Sequence, residues 1–321
     1  IVKTSSEVFG SSVIVDASND PTVKADAGAL AAAGAGGAGG GVAVGQANSL
    51  AINEISTSTM ASVESSSTLD TTGNVSVAAT ANAEIDSWSV GFGGSGAGGD
   101  GGGVAVSGAG SESINEIESR VEALMRNATV IAGGSTSVTA ADTSKIDAIA
   151  GSAGLAGAGG AGGGVGVGFG ISIADNRIGS GHLVSAIVDD SKIGTETDRA
   201  GAVTVNATTN QTINSLTVVG AGAGAGGTGG GVGVGLAGAT SLNRIKGVTE
   251  SNVKGSSEIY ATYITVGASN NAKIKADAGA LAAAGAGGAG GGVAVGLANS
   301  LAINEIGTST SAKVDASVLD L

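Results

Sequence analysis

Few residues of this sequence could carry out chemistry on a substrate. The chain has a single histidine, His182, and no cysteine. Zinc sites and nucleophilic catalysis need several such groups acting together, and one histidine without cysteines does not supply them. Acidic pairs such as Asp189-Asp190 recur at no fixed position, whereas glycoside hydrolysis needs two carboxylates that face one cleft. The sequence therefore predicts that the protein is not an enzyme and that His182 is an exposed loop residue.

Carboxylates could still bind a metal ion. Asp100 follows Gly98-Gly99 and resembles the aspartate of the calcium-binding nonapeptide repeat. That repeat needs Asp in successive turns, but the equivalent positions of the other units hold Ala or Thr. Asp100, Asp189 and Asp190 are therefore the calcium candidates, and no other metal or cofactor is expected.

A glycine-rich motif, Gly34 to Val44, returns four more times and ends at Val106, Val167, Val234 and Val295. Its start fits the Gly-x-Gly-x-x-Gly pattern of dinucleotide-binding proteins, but that fingerprint occurs once, between a strand and a helix. Here it recurs and runs on into Val-x-Val, so we interpret it as a structural motif. Its glycines would supply positive φ or close backbone approach. Its members in the first unit are Gly34, Gly36, Gly37, Gly39, Gly40, Gly41, Val42 and Val44.

One position inside the motif varies freely. It is occupied in turn by Ala38, Asp100, Ala161, Thr228 and Ala289. Because Asp and Thr replace Ala there, we expect this position at a solvent-facing turn.

The motif marks a regular period. Its first valine stands at 42, 104, 165, 232 and 293, which gives spacings of 62, 61, 67 and 61. This predicts one continuous repeat array, part of a longer chain, with units at about 15–76, 77–137, 138–204, 205–265 and 266–321. Lys24 to Thr59 matches Lys275 to Thr310 at all but two positions, which indicates a super-repeat of 251 residues. The longest spacing places an insertion in a loop from Gly179 to Ala202.

An asparagine recurs eleven residues after each motif valine. An internal ladder of stacked asparagines would need one Asn in every coil of about 20 residues, not one per unit. We therefore expect these residues at left-handed corners, which Asn tolerates. They are Asn53, Asn115, Asn176, Asn243 and Asn304.

Local patterns favour an all-β fold. Val203-Thr-Val205 alternates apolar and polar residues, and Val219-Gly-Ala221-Gly continues that period with side chains on one face and bare Gly on the other. A 61-residue unit divides into about three coils of about 20 residues, so the prediction is a repetitive β-solenoid. The alternatives are an antiparallel β-meander or hairpin stack, with the glycine motif as hairpin tip, and a short polyglycine II segment.

The order of these elements resembles a known family. Quoted from the second and third units, it runs Asn115-Glu-Ile117, Asn127-Ala-Thr-Val130, Ser135-Thr-Ser-Val138-Thr-Ala140, Ile146, Ala158-Gly159 and Gly163-Gly164-Val165-Gly-Val167. This arrangement, over essentially the whole chain, is similar to that of giant bacterial surface proteins, the filamentous-haemagglutinin-like and leukotoxin-like filamentous adhesins. The resemblance implies a right-handed β-helix, secretion and an adhesive or fibre-forming role.

Composition narrows the partners. With 14 basic and 27 acidic residues the net charge is −13, which argues against nucleic acid and anionic membrane surfaces. We predict a structural extracellular fibre or stalk protein at the cell surface, self-associating laterally or end to end through Gly/Ala-rich β faces. The alternative is a biofilm-type adhesin that binds host or neighbouring-cell surfaces through loops. The third is a membrane-active glycine-zipper protein, although the glycines of runs such as Ser215 to Leu242 disfavour a helix, and membrane insertion is not expected.

Overall fold

The chain is built from β-strands. The computed structural model describes residues 1–3, 5–179 and 181–321, and among these residues there is no helix. In chain order the strands of the described residues are β1 (Glu7–Gly10), β2 (Val13–Asn19), β3 (Thr22–Gly36), β4 (Gly41–Glu64), β5 (Thr68–Thr71), β6 (Val75–Ala81), β7 (Glu84–Gly98), β8 (Gly103–Arg126), β9 (Thr129–Ala132), β10 (Thr136–Asp142), β11 (Lys145–Gly159), β12 (Gly164–Ile178), β13 (Leu183–Asp189), β14 (Lys192–Ile193), β15 (Ala200–Gly226), β16 (Gly231–Lys254), β17 (Glu258–Gly287), β18 (Gly292–Val314) and β19 (Val318–Asp320).

Each repeat unit forms one coil. Every strand pairing within the described ranges is parallel and joins equal positions of successive units, as Val42 does with Val104 and Val104 with Val165. We count coils from the first paired position of each unit: coil 1 (13–74), coil 2 (75–135), coil 3 (136–202), coil 4 (203–263) and coil 5 (264–321). The prediction of three coils per unit is wrong. Strands such as β4 and β15, with 24 and 27 residues, replace the short sides of a 20-residue coil. The antiparallel meander is wrong as well. Handedness stays a prediction.

A coil has two long sides and one short side. The first long sheet contains β2, β3, β6, β7, β10 and β11 with most of β15 and β17. The second long sheet contains β4, β8, β12, β13, β16 and β18. The short side stacks β1, β5, β9, β14, the start of β17 and β19. Because β17 runs unbroken from the short side into the first long sheet, these two ladders form one 13-stranded sheet.

The core changes in character from the short side to the glycine turn. Next to the short side, inward rows of Val, Ala, Leu, Ile and Met pack together, among them Val75, Val77 and Met125. A row of isoleucines from both long sheets follows, such as Ile85 against Ile117. Near the turn the apolar residues of the core are alanines, apart from Val219. The inward side chains therefore become smaller from the short side toward the turn.

The two long sheets approach each other closely near the turn. In the first long sheet the inward residues near the turn are mostly alanines, whereas in the second long sheet they are mostly glycines, with Ala43 and Ala105 among them. A Cβ on Gly164 would lie 2.7 Å from the carbonyl oxygen of Ala158, and one on Gly103 would lie 2.6 Å from that of Ala97. Contacts that short do not occur, so only glycine fits. The outward position Gly157 of the first long sheet meets nothing within 4 Å, which confirms the predicted bare glycine face.

The extra residues of coil 3 form two separate insertions. The number of residues between a position and its strand partner in the preceding coil is 61 at Ile178, 63 at Leu183 and 67 at Val203. Two residues are therefore added in the turn before Leu183 and four between β14 and β15. About half of the predicted loop from Gly179 to Ala202 is thus strand, in β13, β14 and the start of β15. Ser180, which falls inside it, lies outside the described residues.

Candidate functional surfaces

The glycine motif forms the tight turn between the two long sheets. Gly40 donates its N–H to the carbonyl of Gly37 at 3.0 Å, and the other four coils repeat this bond. Gly40 has a φ of 93°, and its equivalents have φ between 86° and 96°, a region that side chains rarely enter. The variable position, Ala38 in coil 1, is exposed in all five coils. Both predictions for this turn are confirmed.

The motif valines lie on the outside of the second long sheet. Val42 and Val44 are 69% and 64% exposed, and the equivalent Val165 of the central coil is still 38% exposed. Alternation along β4 places Gly41, Ala43 and Gly45 inside, so the valines must point outward. The core of this region therefore consists of Gly and Ala, and the larger apolar side chains face solvent.

The recurrent asparagines form an internal ladder. Each amide donates its Nδ2 hydrogen to the Oδ1 of the next coil, at 2.8 Å from Asn53 to Asn115, 2.7 Å from Asn115 to Asn176, and 2.9 Å for both later steps, to Asn243 and Asn304. Asn115 and Asn176 are fully buried. The predicted left-handed corner is wrong: each unit is a single coil, so one Asn per unit is one Asn per coil, which a ladder requires.

Serine hydroxyls beside the ladder join the two long sheets. Ser87 of β7 and Ser113 of β8 are 2.8 Å apart, and Asn115 donates to Ser113 at 3.0 Å. The same contact recurs between Ser215 and Ser241 at 2.9 Å. These serines are buried, so their hydroxyls need such partners. Sequence reasoning missed them, although Ser113 and Ser241 each stand two residues before a recurrent Asn.

His182 is buried, and its prediction as an exposed loop residue is wrong. Its side chain is 1% exposed and its Nε2 lies 3.1 Å from Oδ2 of Asp142, which is itself fully buried. Ser144 donates its backbone N–H and its hydroxyl to the same carboxylate. The two-residue insertion before Leu183 turns the imidazole inward, over Gly247. The buried imidazole thus lies against the carboxylate, although neither of its nitrogens meets hydrogen-bond geometry with a described residue.

Removing the imidazole should destabilise the fold. In His182→Leu the buried Asp142 carboxylate loses one of its partners, so we expect the free energy of unfolding to fall by about 1.5–3 kcal/mol. Glu196→Ala, in the exposed four-residue insertion, should change it by less than about 0.5 kcal/mol. Denaturant titration of the two variants measures this difference, and equal midpoints would exclude a structural role for His182.

Of the calcium candidates, Asp100 lies at a glycine turn, whereas Asp189 and Asp190 are adjacent at the end of β13. Asp100 is exposed at its turn. Asp189 lies 3.2 Å from Arg126, and Asp190 has a φ of 46° and accepts the N–H of Ser256. Each carboxylate of the pair thus has a role in holding neighbouring coils together, and nothing in their arrangement supports a calcium site.

A different set of carboxylates comes together on the outer face of the first long sheet. Glu84, Asp86 and Asp147 have oxygens within 4.8 Å of one another, beside a groove of about 1040 Å³ that also contains Trp88. Lys145 contacts Glu84 at 3.3 Å and Asp147 at 2.5 Å. The hydrogen bond that the Lys145 ammonium donates to Asp147 holds the pKa of Lys145 above its ordinary value. The ammonium therefore offsets one of the three negative charges of the cluster.

Charged side chains elsewhere also pair between coils. Lys24 lies 3.5 Å from Asp86, and Arg244 and Lys246 both contact Glu305, at 2.8 and 2.9 Å. The hydrogen bond from Lys246, followed by that from Arg244, lowers the pKa of Glu305. Such exposed pairs contribute little each, but they favour the observed register.

The uncharged runs, such as Ser215 to Leu242, belong to strands β15 and β16 and to the turn between them. Among the described residues, no helix is long and apolar enough to cross a membrane.

Comparisons with known proteins gave no match. No protein-family model, no curated protein and no solved structure matches this chain. The similarity to filamentous adhesins therefore rests on the motifs of the sequence alone and stays a prediction.

Proposed function

We propose that this chain is a structural segment of an extracellular fibre or stalk, as part of an assembly of many copies or repeats. The observation that carries the proposal is the uniform use of its polar groups. The Asn ladder, the serine contacts and the cross-coil ion pairs all join one coil to the next or one sheet to the other. Chemistry that holds coils in register is what a rod under mechanical load needs, since every added coil extends the same hydrogen-bonded stack.

Imaging of the purified chain by cryo-electron microscopy in saline tests this proposal. We expect filaments, or rods joined side by side or end to end, with a parallel strand spacing of about 4.8 Å along the rod. Separate particles at every concentration, with no contact between them, would argue against a self-associating fibre.

An adhesin that binds a host or neighbouring cell is the second candidate. The four-residue insertion supports it, because Glu196, Thr197 and Asp198 are exposed while Arg199 is held at 2.9 Å by Asp320. Such a held, protruding loop suits recognition.

Deleting residues 195–198 separates the two functions. Loss of attachment to cells with filaments unchanged would favour the adhesin. Unchanged attachment would remove the loop from consideration.

A further inference from the structure

The outer face of the second long sheet carries two unbroken rows of valine. They run across all five coils in register: Val42, Val104, Val165, Val232 and Val293 form one, and Val44, Val106, Val167, Val234 and Val295 form the other. We call this surface, extended along the strands through the row of Ile52, the valine face. Large aliphatic and aromatic residues continue it, including Leu50, Phe169, Ile171 and Leu236.

These ten outward positions, of which Val106, Val167 and Val234 are half-buried and the others exposed, hold the same residue in every unit. The row beyond them, by contrast, holds Gln46, Gly108, Phe169, Leu236 and Leu297. The exposed turn position likewise changes among Ala, Asp and Thr. Coils 1 to 4 have therefore diverged freely at neighbouring outward positions, while ten of ten positions in the two valine rows kept a β-branched apolar residue. A surface that only met water would have no reason to do so.

Nothing inside the chain explains the valines. Their strands bury Gly and Ala, which offer little apolar area, so the part of the coil near the turn has a very thin core of its own. Apolar burial is the main favourable term in folding and association. A second sheet packed on the valine face would give this region the core of larger side chains that it otherwise lacks.

The size and charge of the face suit a second copy of the chain. Eleven residues along the strands by five strands span about 36 Å by 24 Å, or about 860 Å², close to the roughly 800 Å² that each partner buries in a standard interface. Its charged side chains are two carboxylates, Glu112 and Asp175, which lie in the rows farthest from the turn. A groove of about 600 Å³ lined by Phe169, Ile171, Leu236 and Leu297 could receive side chains of the other copy.

We propose that two copies pack valine face against valine face, as the sheets of a β-sandwich do, so that fibres grow laterally through this surface. This packing proposal rests on the proposed fibre function and specifies the surface through which the chains of the fibre contact one another. It also moves that contact from the Gly/Ala faces expected from sequence, because the alanines are buried between the two long sheets of one chain.

A pair of matched variants tests the contact. Val165→Lys places a charge in the centre of the valine face, and Val218→Lys places the same charge on the outer face of the first long sheet, where Val218 is also exposed. Sedimentation velocity of the full chain over a range of concentrations should show self-association of the parent and of Val218→Lys. In Val165→Lys the association should be at least about tenfold weaker. Circular dichroism and thermal unfolding check that each variant is folded, and Val165→Thr, which keeps the β-branched shape, should weaken association less.

Three results would overturn the proposal. The parent could sediment as a monomer at all concentrations, or Val165→Lys could associate as the parent does. The parent could also stay monomeric yet float with phosphatidylcholine vesicles unless Val165 is charged, which would assign the face to a lipid surface instead. If filaments form in the imaging experiment and Val165→Lys leaves them unchanged, this contact fails while the fibre function stands.

Discussion

Replacing Gly164 by alanine should destabilise the protein strongly, whereas the same change at Gly157 should not. A methyl group on Gly164 would lie 2.7 Å from the Ala158 carbonyl oxygen, with the backbone of Gly159 also close. The obstacle is backbone in the opposite sheet, so it cannot rotate away. We expect a loss of about 1–3 kcal/mol in the free energy of unfolding, as for other overpacked cores.

Gly157 is the matched control. It lies on the neighbouring strand, faces outward and meets nothing within 4 Å. Alanine there restricts the unfolded chain and should raise stability by about 0.4–1 kcal/mol or leave it unchanged. Urea titration of both variants compares the two effects. If Gly164→Ala were as stable as Gly157→Ala, the two long sheets could not be packed as closely as described.

Breaking the Asn ladder in its middle should have a second large effect. Asn176 accepts a hydrogen bond from Asn115 and donates one to Asn243, in the buried middle of the ladder. Asn176→Ala removes both bonds. Each orphaned buried group costs about 1–3 kcal/mol, so the total loss should reach about 2–6 kcal/mol.

Asn304→Ala is the comparison for the ladder. Asn304 belongs to the last coil and contributes a single ladder bond, from Asn243, and its side chain is more exposed. Its loss should therefore cost less than half as much. Thermal unfolding of the two variants decides this, and an equal loss at both positions would show that the ladder does not act as a continuous buried row.

Much of the coil could be predicted from sequence because it depends on local rules. The alternation of Val203-Thr-Val205 identified a strand, and both valines do lie in the core. The free variation at Ala38 and Asp100 identified the exposed turn, and the glycine beside it does adopt positive φ. Each of these inferences needed only a repeated position and the chemistry of one residue type.

The errors in the coil count and in the asparagine prediction share one origin, the length of the coil. A coil of about 20 residues was assumed from the usual size of such repeats, whereas this chain uses long strands of 24 residues such as β4 and β8. The prediction for the asparagines is wrong for the same reason. With three coils per unit, Asn53 and Asn115 would lie three coils apart and could not form a ladder. Period alone cannot tell one long coil from three short ones.

Other features needed three dimensions. Alternation placed Val42 and Gly41 on opposite faces, but it could not decide which face was the core, since valine inside is the usual arrangement. The inward turn of His182 depends on a two-residue insertion that meets Asp142, which lies 40 positions earlier. Neither the buried face of the strand nor the contact between His182 and Asp142 can be read from the repeat period.

The distance between the exposed turns of coils 1 and 5 tests whether each repeat unit is a single coil. The chain has no cysteine, so spin labels can be attached specifically to cysteines placed at Ala38 and Ala289, the exposed turn positions of coils 1 and 5. Double electron–electron resonance should then report about 19 Å between the two turns, four strand spacings of about 4.8 Å. Three coils per unit would place twelve spacings between them, and a distance of about 58 Å would contradict the structure described.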